Sequence, residues 1–328
     1  MQRIIRIKKT HICRFSMEGI TVFSHSDCIA KDNGENHPER KERLEVILDS
    51  IKNIDELNIS LKEAPLADFK TINLVHPQAY LDELFSMVPS SGLVGVEKEP
   101  YADTVLCSQS KEAILRACGA GIQSANELMN GVTKRLFCAV RPPGHHAETT
   151  RANGFCFVNN AAVTARYLQN KFNLKKVAII DFDVHHGNGT QEIFYADKSV
   201  FYGSIHQHPL FPGTGLESET GVGNIFNAPI SSDVTRDDFM HIFSTKILKN
   251  VDLFKPEVII ISAGFDAHKR DPLAGVNLES EDYFTITQSI VEIAMRHSNG
   301  RVISFLEGGY DLQALSECIK AHLEALSN

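Results

Sequence analysis

Residues 177–187 read Val177-Ala178-Ile179-Ile180-Asp181-Phe182-Asp183-Val184-His185-His186-Gly187. The first four are short, apolar and partly β-branched with no polar alternation, which predicts a strand buried on both faces. Acidic and imidazole side chains follow at once. The same pattern recurs along the chain. The run 136–140 precedes Arg141-Pro142-Pro143-Gly144-His145-His146, and 200–205 precedes His206-Gln207-His208. Likewise 258–262 precedes Ala263-Gly264-Phe265-Asp266-Ala267-His268, and 302–306 precedes Glu307-Gly308-Gly309-Tyr310. Helical spacing lies between these runs. Ala113, Ile114, Ala117, Cys118, Gly121, Ile122, Ala125 and Leu128 share one face of a helix predicted over 109–130, with Gly131 as its stop. Further helices are predicted over 158–170, 280–297 and 311–326, and another from Pro38, read as a first helical residue, through Leu44, Ile47, Leu48 and Ile51. Strands alternating with helices predict an α/β sandwich of three layers around a mostly parallel sheet. Ligands in such folds bind outside the carboxyl ends of the strands, so five polar clusters converge on one rim.

Composition narrows the partners. The chain has 328 residues, 43% of them hydrophobic, enough for a sizeable core. Its 33 basic and 41 acidic side chains leave a net charge of −8, which disfavours direct nucleic-acid binding or an anionic membrane surface. Apolar runs such as 258–261 are far too short to span a bilayer, so a soluble protein is expected. Seven cysteines without a CxxC pair read as reduced structural thiols, consistent with a cytoplasmic, reducing compartment. Residues 1–16 carry Arg3, Arg6, Lys8, Lys9 and Arg14 and no acid; they read as a disordered leader, with a targeting peptide as the alternative. From Gly19 onward no linker, repeat or low-complexity run interrupts the chain, and a single domain over 17–328 is the simplest organisation.

Asp183 and His185 stand two apart, so in extended chain both point to the same side. With Asp266 after another strand they make two carboxylates and one imidazole, a set suited to a divalent metal with a position left open for water and substrate. The competing reading is that these groups only cap helix N-termini. Six of the 14 histidines fall between His145 and His208, more than twice the number that even spacing would place there. In the doublet His145-His146 one ring can act as general base and the other as electrostatic stabiliser. His186, His206 and His208 are assigned to structural hydrogen bonding. Gly213, Gly215, Gly221 and Gly223 lack the Gly-Lys-Ser/Thr that a phosphate loop requires.

At this point a resemblance becomes specific. Arg141-Pro142-Pro143-Gly144-His145-His146-Ala147, Gly154-Phe155-Cys156-Phe157-Val158-Asn159-Asn160, the run from Asp181 to Gln191, Phe211-Pro212-Gly213-Thr214-Gly215, the run from Ser262 to His268 and Glu307-Gly308-Gly309-Tyr310 resemble the motifs of the zinc-dependent histone deacetylase family, which includes bacterial deacetylases and acetylpolyamine amidohydrolases. Similarity runs from about Gly19 to the C-terminus and includes Asn36-His37-Pro38-Glu39-Arg40; the wording of the motifs is closer to the class II branch.

The resemblance implies an arginase-like α/β fold, catalytic zinc on Asp183, His185 and Asp266, and a structural potassium ion at Asp181, Asp183, His185, Ser204 and Ile205, mostly through main-chain carbonyls. It implies His146 as general base and acid, His145 as its electrostatic neighbour backed by Asp181, and Tyr310 as hydroxyl donor to the oxyanion. Asn188 stands behind His146 where some members carry aspartate, so His146 should stay neutral more readily. Phe155 and Phe211 match two aromatic channel walls, and the Gly154 carbonyl would accept the substrate amide proton. Leu273 stands where polyamine-specific relatives can carry glutamate, which favours acetyl-lysine in proteins or peptides over acetylpolyamines. The alternatives are a deacylase of small amines or longer acyl-lysines, a two-manganese ureohydrolase of similar fold, and a non-enzymatic acetyl-lysine binder. The sequence says nothing about oligomeric state.

Overall fold

The computed structural model describes residues 19–54, 56–96 and 103–328, so the basic stretch 1–16 lies outside the described residues. Among the described residues there are ten strands: β1 (Ile20–Ser24), β2 (Ile59–Glu63), β3 (Val94–Gly95), β4 (Val105–Leu106), β5 (Arg135–Cys138), β6 (Val177–Asp181), β7 (Val200–Gln207), β8 (Ile225–Ile230), β9 (Val258–Ala263) and β10 (Val302–Leu306). Eight form one sheet in the order β2-β1-β5-β10-β9-β6-β7-β8, with every neighbouring pair parallel. The short strands β3 and β4 pair antiparallel apart from it.

Parallel strands need helical crossovers, and these cover the sheet on both faces. The consequence is visible in burial: β5, β6, β9 and β10 are buried at every position, and β7 at all but Gln207. Each Val, Ile or Phe so enclosed contributes roughly 1.5–3 kcal/mol relative to exposure. The helix Ser110–Met129 packs against the helix Asn160–Phe172, and Gly121 permits the approach, since a Cβ there would lie 2.1 Å from Thr164 Oγ1. Helix Asn160–Phe172 starts where the Asn159 side chain accepts from the Ala162 N–H, and it ends at Asn173 in the left-handed region. No helix among the described residues is long and apolar enough to cross a membrane.

One predicted boundary is corrected. Pro38 does not open a helix; the helix runs Glu42–Lys52, and the segment before it turns so that Glu39 is carried inward. Burial of that carboxylate is compensated by Arg141, whose guanidinium grips both its oxygens, by Arg43 at 3.2 Å, and by the Asn33 amide at 2.7 Å. Helix continuation from Pro38 would have forfeited this arrangement. Strands β1, β2 and β8 are additions that the sequence pattern did not reveal.

Candidate active site

Parallel pairing aligns the strand ends. Asp181, Ser262 and Ser204 lie in register on β6, β9 and β7, and the loops after β5, β6, β9 and β10 meet at that edge. Among the described residues, Asp183, His185 and Asp266 bring metal-ligating atoms within 4.8 Å of one another, all buried. His185 Nδ1 lies 3.1 Å from Asp183 Oδ1 and 3.1 Å from Asp266 Oδ2.

Backbone donors aim these carboxylates. Gly308 N–H donates to Asp183 Oδ2 at 2.7 Å, His185 N–H to Asp183 Oδ1 at 2.9 Å, and Val184 N–H to Asp266 Oδ1 at 2.9 Å. Space is tight behind them: a Cβ on Gly308 would sit 2.1 Å from Asp266 Oδ2, and one on Gly264 would sit 2.2 Å from Asp183 Oδ2. Burial drives the Asp266 carboxyl up to about 7, with the neighbouring Asp183 charge acting in the same sense. For His185 burial opposes the charge, but bonds to Asp183 and Asp266 outweigh it and raise the ring to about 10. Two buried acids and an imidazole sharing a proton in this way present a cradle that a divalent cation fits, displacing that proton. The donor set, with oriented carboxylates, is appropriate to zinc.

Beside the cluster lie the paired histidines, their ring centroids 3.9 Å apart. His145 Nδ1 is 3.0 Å from Asp181 Oδ2, and its Nε2 is 3.9 Å from Asp183 Oδ2. Burial works against a charge on this ring, yet the carboxylates of Asp181, Asp183 and Glu307 prevail and lift it to about 10. His146 is the opposite case: burial first, then the positive rings of His145 and His185, hold it well below the usual histidine range. Its Nδ1 lies 2.9 Å from Asn188 Oδ1. The surroundings thus favour a charge on one ring and disfavour it on its neighbour.

All of this opens into a cavity of about 340 Å³, lined among others by His145, His146, Gly154, Phe155, His185, Phe211, Leu273 and Tyr310. Phe211 is exposed and its ring meets His146 edge-on at 5.0 Å. Phe155 has φ +68° and is tied by its N–H to Thr104 Oγ1 at 3.1 Å. Gly154, at φ +52°, must be glycine here, since a Cβ would lie 2.5 Å from the His146 ring. Tyr310 is anchored by its N–H to Asp271 Oδ2 at 2.7 Å, and its ring lies under the Arg43 guanidinium at 4.8 Å. Leu273 also hangs from Asp271, its N–H donating to Oδ1 at 3.0 Å.

Comparison with known proteins agrees with this geometry. The histone deacetylase domain model matches residues 37–326. The chain belongs to the histone deacetylase family.

Its relatives include type-2 histone deacetylase 2 of Dictyostelium discoideum, 32% identical over 92% of this chain but only 20% of that much longer protein. Chloroplastic histone deacetylase 10 of Oryza sativa subsp. japonica is 36% identical over 88% of this chain and 69% of its own length. Among solved structures the HDA15 HD domain superposes with a TM-score of 0.86 at 33% identity, covering 94% of this chain and 89% of that one. The family is one of amide hydrolases, and the arginase-like α/β sandwich expected from the motifs is the fold observed.

Within this deacetylase-family site the sequence-derived residues Asp181, Asp183, His185, Asp266, His145, His146, Asn188, Gly154, Phe155, Phe211, Leu273 and Tyr310 all converge. Ser204 and Ile205 sit on β7 beside Asp181, and the Ser204 hydroxyl is bonded to His206 Nδ1 at 2.9 Å. His186 and His206 are structural, held by Thr214 and Gln191 and by Ser204 and the Gly215 carbonyl. His206 therefore lies within β7 rather than on the rim, and His208 Nδ1 is buried with no partner among the described residues. The six described cysteines are unpaired and buried, and burial pushes the Cys28, Cys138 and Cys318 thiols up to about 12, which disfavours thiolate formation at those three.

Sequence reasoning missed four contributors. Asp103 and His37 line the cavity mouth, where His37 Nδ1 accepts from Glu39 N–H and Nε2 donates to the Asp103 carbonyl at 2.9 Å. Glu307 Oε2 accepts from the N–H groups of Gly144 and His145, fixing the histidine turn. Glu148 accepts from the Asn188 amide at 2.7 Å. Glu307 and His37 stood in quoted motifs without being singled out; Asp103 and Glu148 join segments that are far apart in sequence or carry no local pattern.

Proposed function

We propose that this chain hydrolyses the acetyl amide of Nε-acetyl-lysine in proteins or peptides, giving acetate and free lysine, with zinc held by Asp183, His185 and Asp266. One observation carries the reading: His146 and Tyr310 line the same small cavity as His185, whose ring nitrogen clusters with the carboxylates of Asp183 and Asp266 just behind it. Zinc there supplies Lewis-acid polarisation of the acetyl carbonyl and acidification of water.

The chain's own residues do the rest. His146, with Nδ1 engaged by Asn188, takes a proton from the attacking water at Nε2 and returns it to the departing amine. His145 stays protonated against Asp181 and adds fixed positive charge beside the developing oxyanion. The Tyr310 hydroxyl donates to that oxyanion. Phe155 and Phe211 flank the lysyl methylenes, the Gly154 carbonyl accepts the amide proton, and the Asp103 carboxylate at the mouth accepts from substrate backbone N–H groups. Apolar Leu273 at the rim favours a peptide over a polyamine, whose distal ammonium would lack a counter-charge there. A potassium ion at the carbonyls of Asp181, Asp183, His185, Ser204 and Ile205 is part of the same reading, supported by the pairing of Asp181 with Ser204. Unpaired buried thiols suit a reducing intracellular compartment.

The test is to purify the chain, quantify bound metal and compare hydrolysis of an acetyl-lysine peptide with that of acetylputrescine. Zinc at about one per chain and faster peptide turnover, blocked by a hydroxamate, are expected. Faster turnover of the polyamine would replace the substrate assignment, and binding of peptide without hydrolysis in the zinc-loaded protein would replace the enzymatic one.

A further inference from the structure

A hydrogen-bonded chain runs outward from His146, away from the cavity. His146 Nδ1 lies 2.9 Å from Asn188 Oδ1, and the Asn188 amide nitrogen donates to Glu148 Oε1 over 2.7 Å. Glu148 is held in place on both sides. Its backbone N–H donates to the Arg151 carbonyl at 3.0 Å, while the adjoining Thr149 gives its N–H and its hydroxyl to Glu192 Oε2 at 3.0 and 2.7 Å. Asn188 in turn begins the short helix Asn188–Phe194 that carries Glu192.

An amide can present either end to a histidine, because its oxygen and nitrogen are nearly equal in size but opposite in hydrogen-bonding sense. An ionised carboxylate accepts only. With Glu148 opposite, the Asn188 nitrogen must face Glu148 and its oxygen must face His146. An acceptor at Nδ1 requires the His146 proton to sit there, so Nε2 keeps its lone pair toward the cavity. The reverse amide orientation would set an N–H donor against Nδ1, transfer the ring proton to Nε2 and leave the cavity side with no base. An aspartate at position 188 would need no such control, since both of its oxygens accept.

We propose that Glu148 is a positioning residue that fixes the base-competent tautomer of His146 by locking the orientation of the Asn188 amide. The inference rests on His146 being the base, as in the proposed function. Negative charge on Glu148 also polarises the amide, which strengthens its oxygen as an acceptor when the ring becomes an imidazolium.

Glu148→Lys tests this directly by putting a donor where an acceptor stands, which turns the amide oxygen outward. In the zinc-loaded full chain kcat should fall by roughly 10²-fold or more, while KM for an acetyl-lysine peptide changes by less than about threefold. Adding Asn188→Asp in the same background should restore most of kcat, because a carboxylate accepts from both neighbours. Ring ¹⁵N shifts of ¹⁵N-histidine-labelled protein supply a readout independent of turnover: Nδ1 protonated in the parent, Nε2 protonated in E148K, Nδ1 again in the E148K/N188D pair. Should E148K fail to fold, Glu148→Leu removes the lock without adding a donor, and His146 should then show both tautomers. An unchanged ring in a folded E148K or E148L protein, kcat of E148K within about twofold of the parent, or no rescue by N188D overturns the proposal. Parental turnover in His146→Ala overturns the base assignment instead, and the ring shifts then still decide whether Glu148 sets the tautomer.

Discussion

The rings of His145 and His146 lie 3.9 Å apart at their centroids, yet their surroundings push them in opposite directions: Asp181, Asp183 and Glu307 outweigh burial and raise one to about 10, while burial and its charged neighbours depress the other. Adjacent residues with divergent environments are how one site acquires a fixed cation and a free base. The difference arises behind the rings: a carboxylate supports His145, and an amide supports His146.

Two substitutions test the division of labour. His146→Ala and Tyr310→Phe should each lower kcat by roughly 10²–10³-fold with KM little changed, because both groups act chiefly on the transition state. Steady-state kinetics on an acetyl-lysine peptide, with far-UV circular dichroism to verify folding, measures this. A parental rate in either variant removes that residue from the reaction.

Gly308→Ala should loosen the metal site without touching a ligand. The new methyl would lie 2.1 Å from Asp266 Oδ2 and 2.6 Å from Asp183 Oδ2, so both carboxylates must move. Zinc affinity, read by competition with a chromogenic chelator, should drop roughly 10- to 100-fold. Unaltered affinity would mean that the loop yields instead of the ligands.

Glu39→Gln addresses the buried charge cluster under the Glu307–Tyr310 loop. Burial alone would raise the Glu39 carboxyl, but Arg141, Lys31 and Arg43 hold it far below the carboxylate range. Removing its charge leaves fully buried guanidiniums unmatched, and denaturant unfolding should show a loss of about 3–5 kcal/mol. A loss under about 1 kcal/mol would mean that the guanidiniums find other partners.

Acid should unfold the protein in part through His76. Burial lowers this ring to about 4 from 6.5; its Nδ1 donates to the Thr149 carbonyl, and its Nε2 accepts from Asn159 N–H at 2.9 Å. Above pH 6.5 the ring is neutral in both states and its contribution is intact. As pH falls from 6.5 through 4 the unfolded chain takes up the proton first and that contribution is lost. The stability gap between the parent and His76→Gln, measured by urea unfolding at pH 7 and pH 4, should therefore narrow by about 3 kcal/mol. A gap independent of pH would refute the assignment.

Much of this was legible in the residues themselves. The buried strands β6, β9 and β10 are dense in Val and Ile, and the long helices repeat at 3.6, so both declare themselves locally. Asp183, His185, Asp266 and the histidine pair follow strand ends within a few positions, which is why their convergence on one rim is readable from the residues. Edge strand β2, Ile59-Ser60-Leu61-Lys62-Glu63, is half-exposed and polar, and β8 carries Asn227 and Pro229, so neither shows a buried-strand pattern. Glu39 carries no local signal of burial; its burial depends on Arg141, which lies 102 positions away. Glu148 and Asp103 reach the site through folded proximity that no periodicity encodes.

The sheet order has a consequence for how the molecule is made. β10, the last strand among the described residues, lies between β5 and β9 in the middle of the sheet. Until it is synthesised, the nascent polypeptide holds two half-sheets with open inner edges, β2-β1-β5 on one side and β9-β6-β7-β8 on the other. Asp183 and Asp266 can already meet in the second half, but Gly308 and Tyr310 arrive only with the loop that follows β10. Completing the active enzyme is thus governed by long-range pairing, and a chain that has not yet placed β10 exposes two sticky strand edges for chaperones to shield.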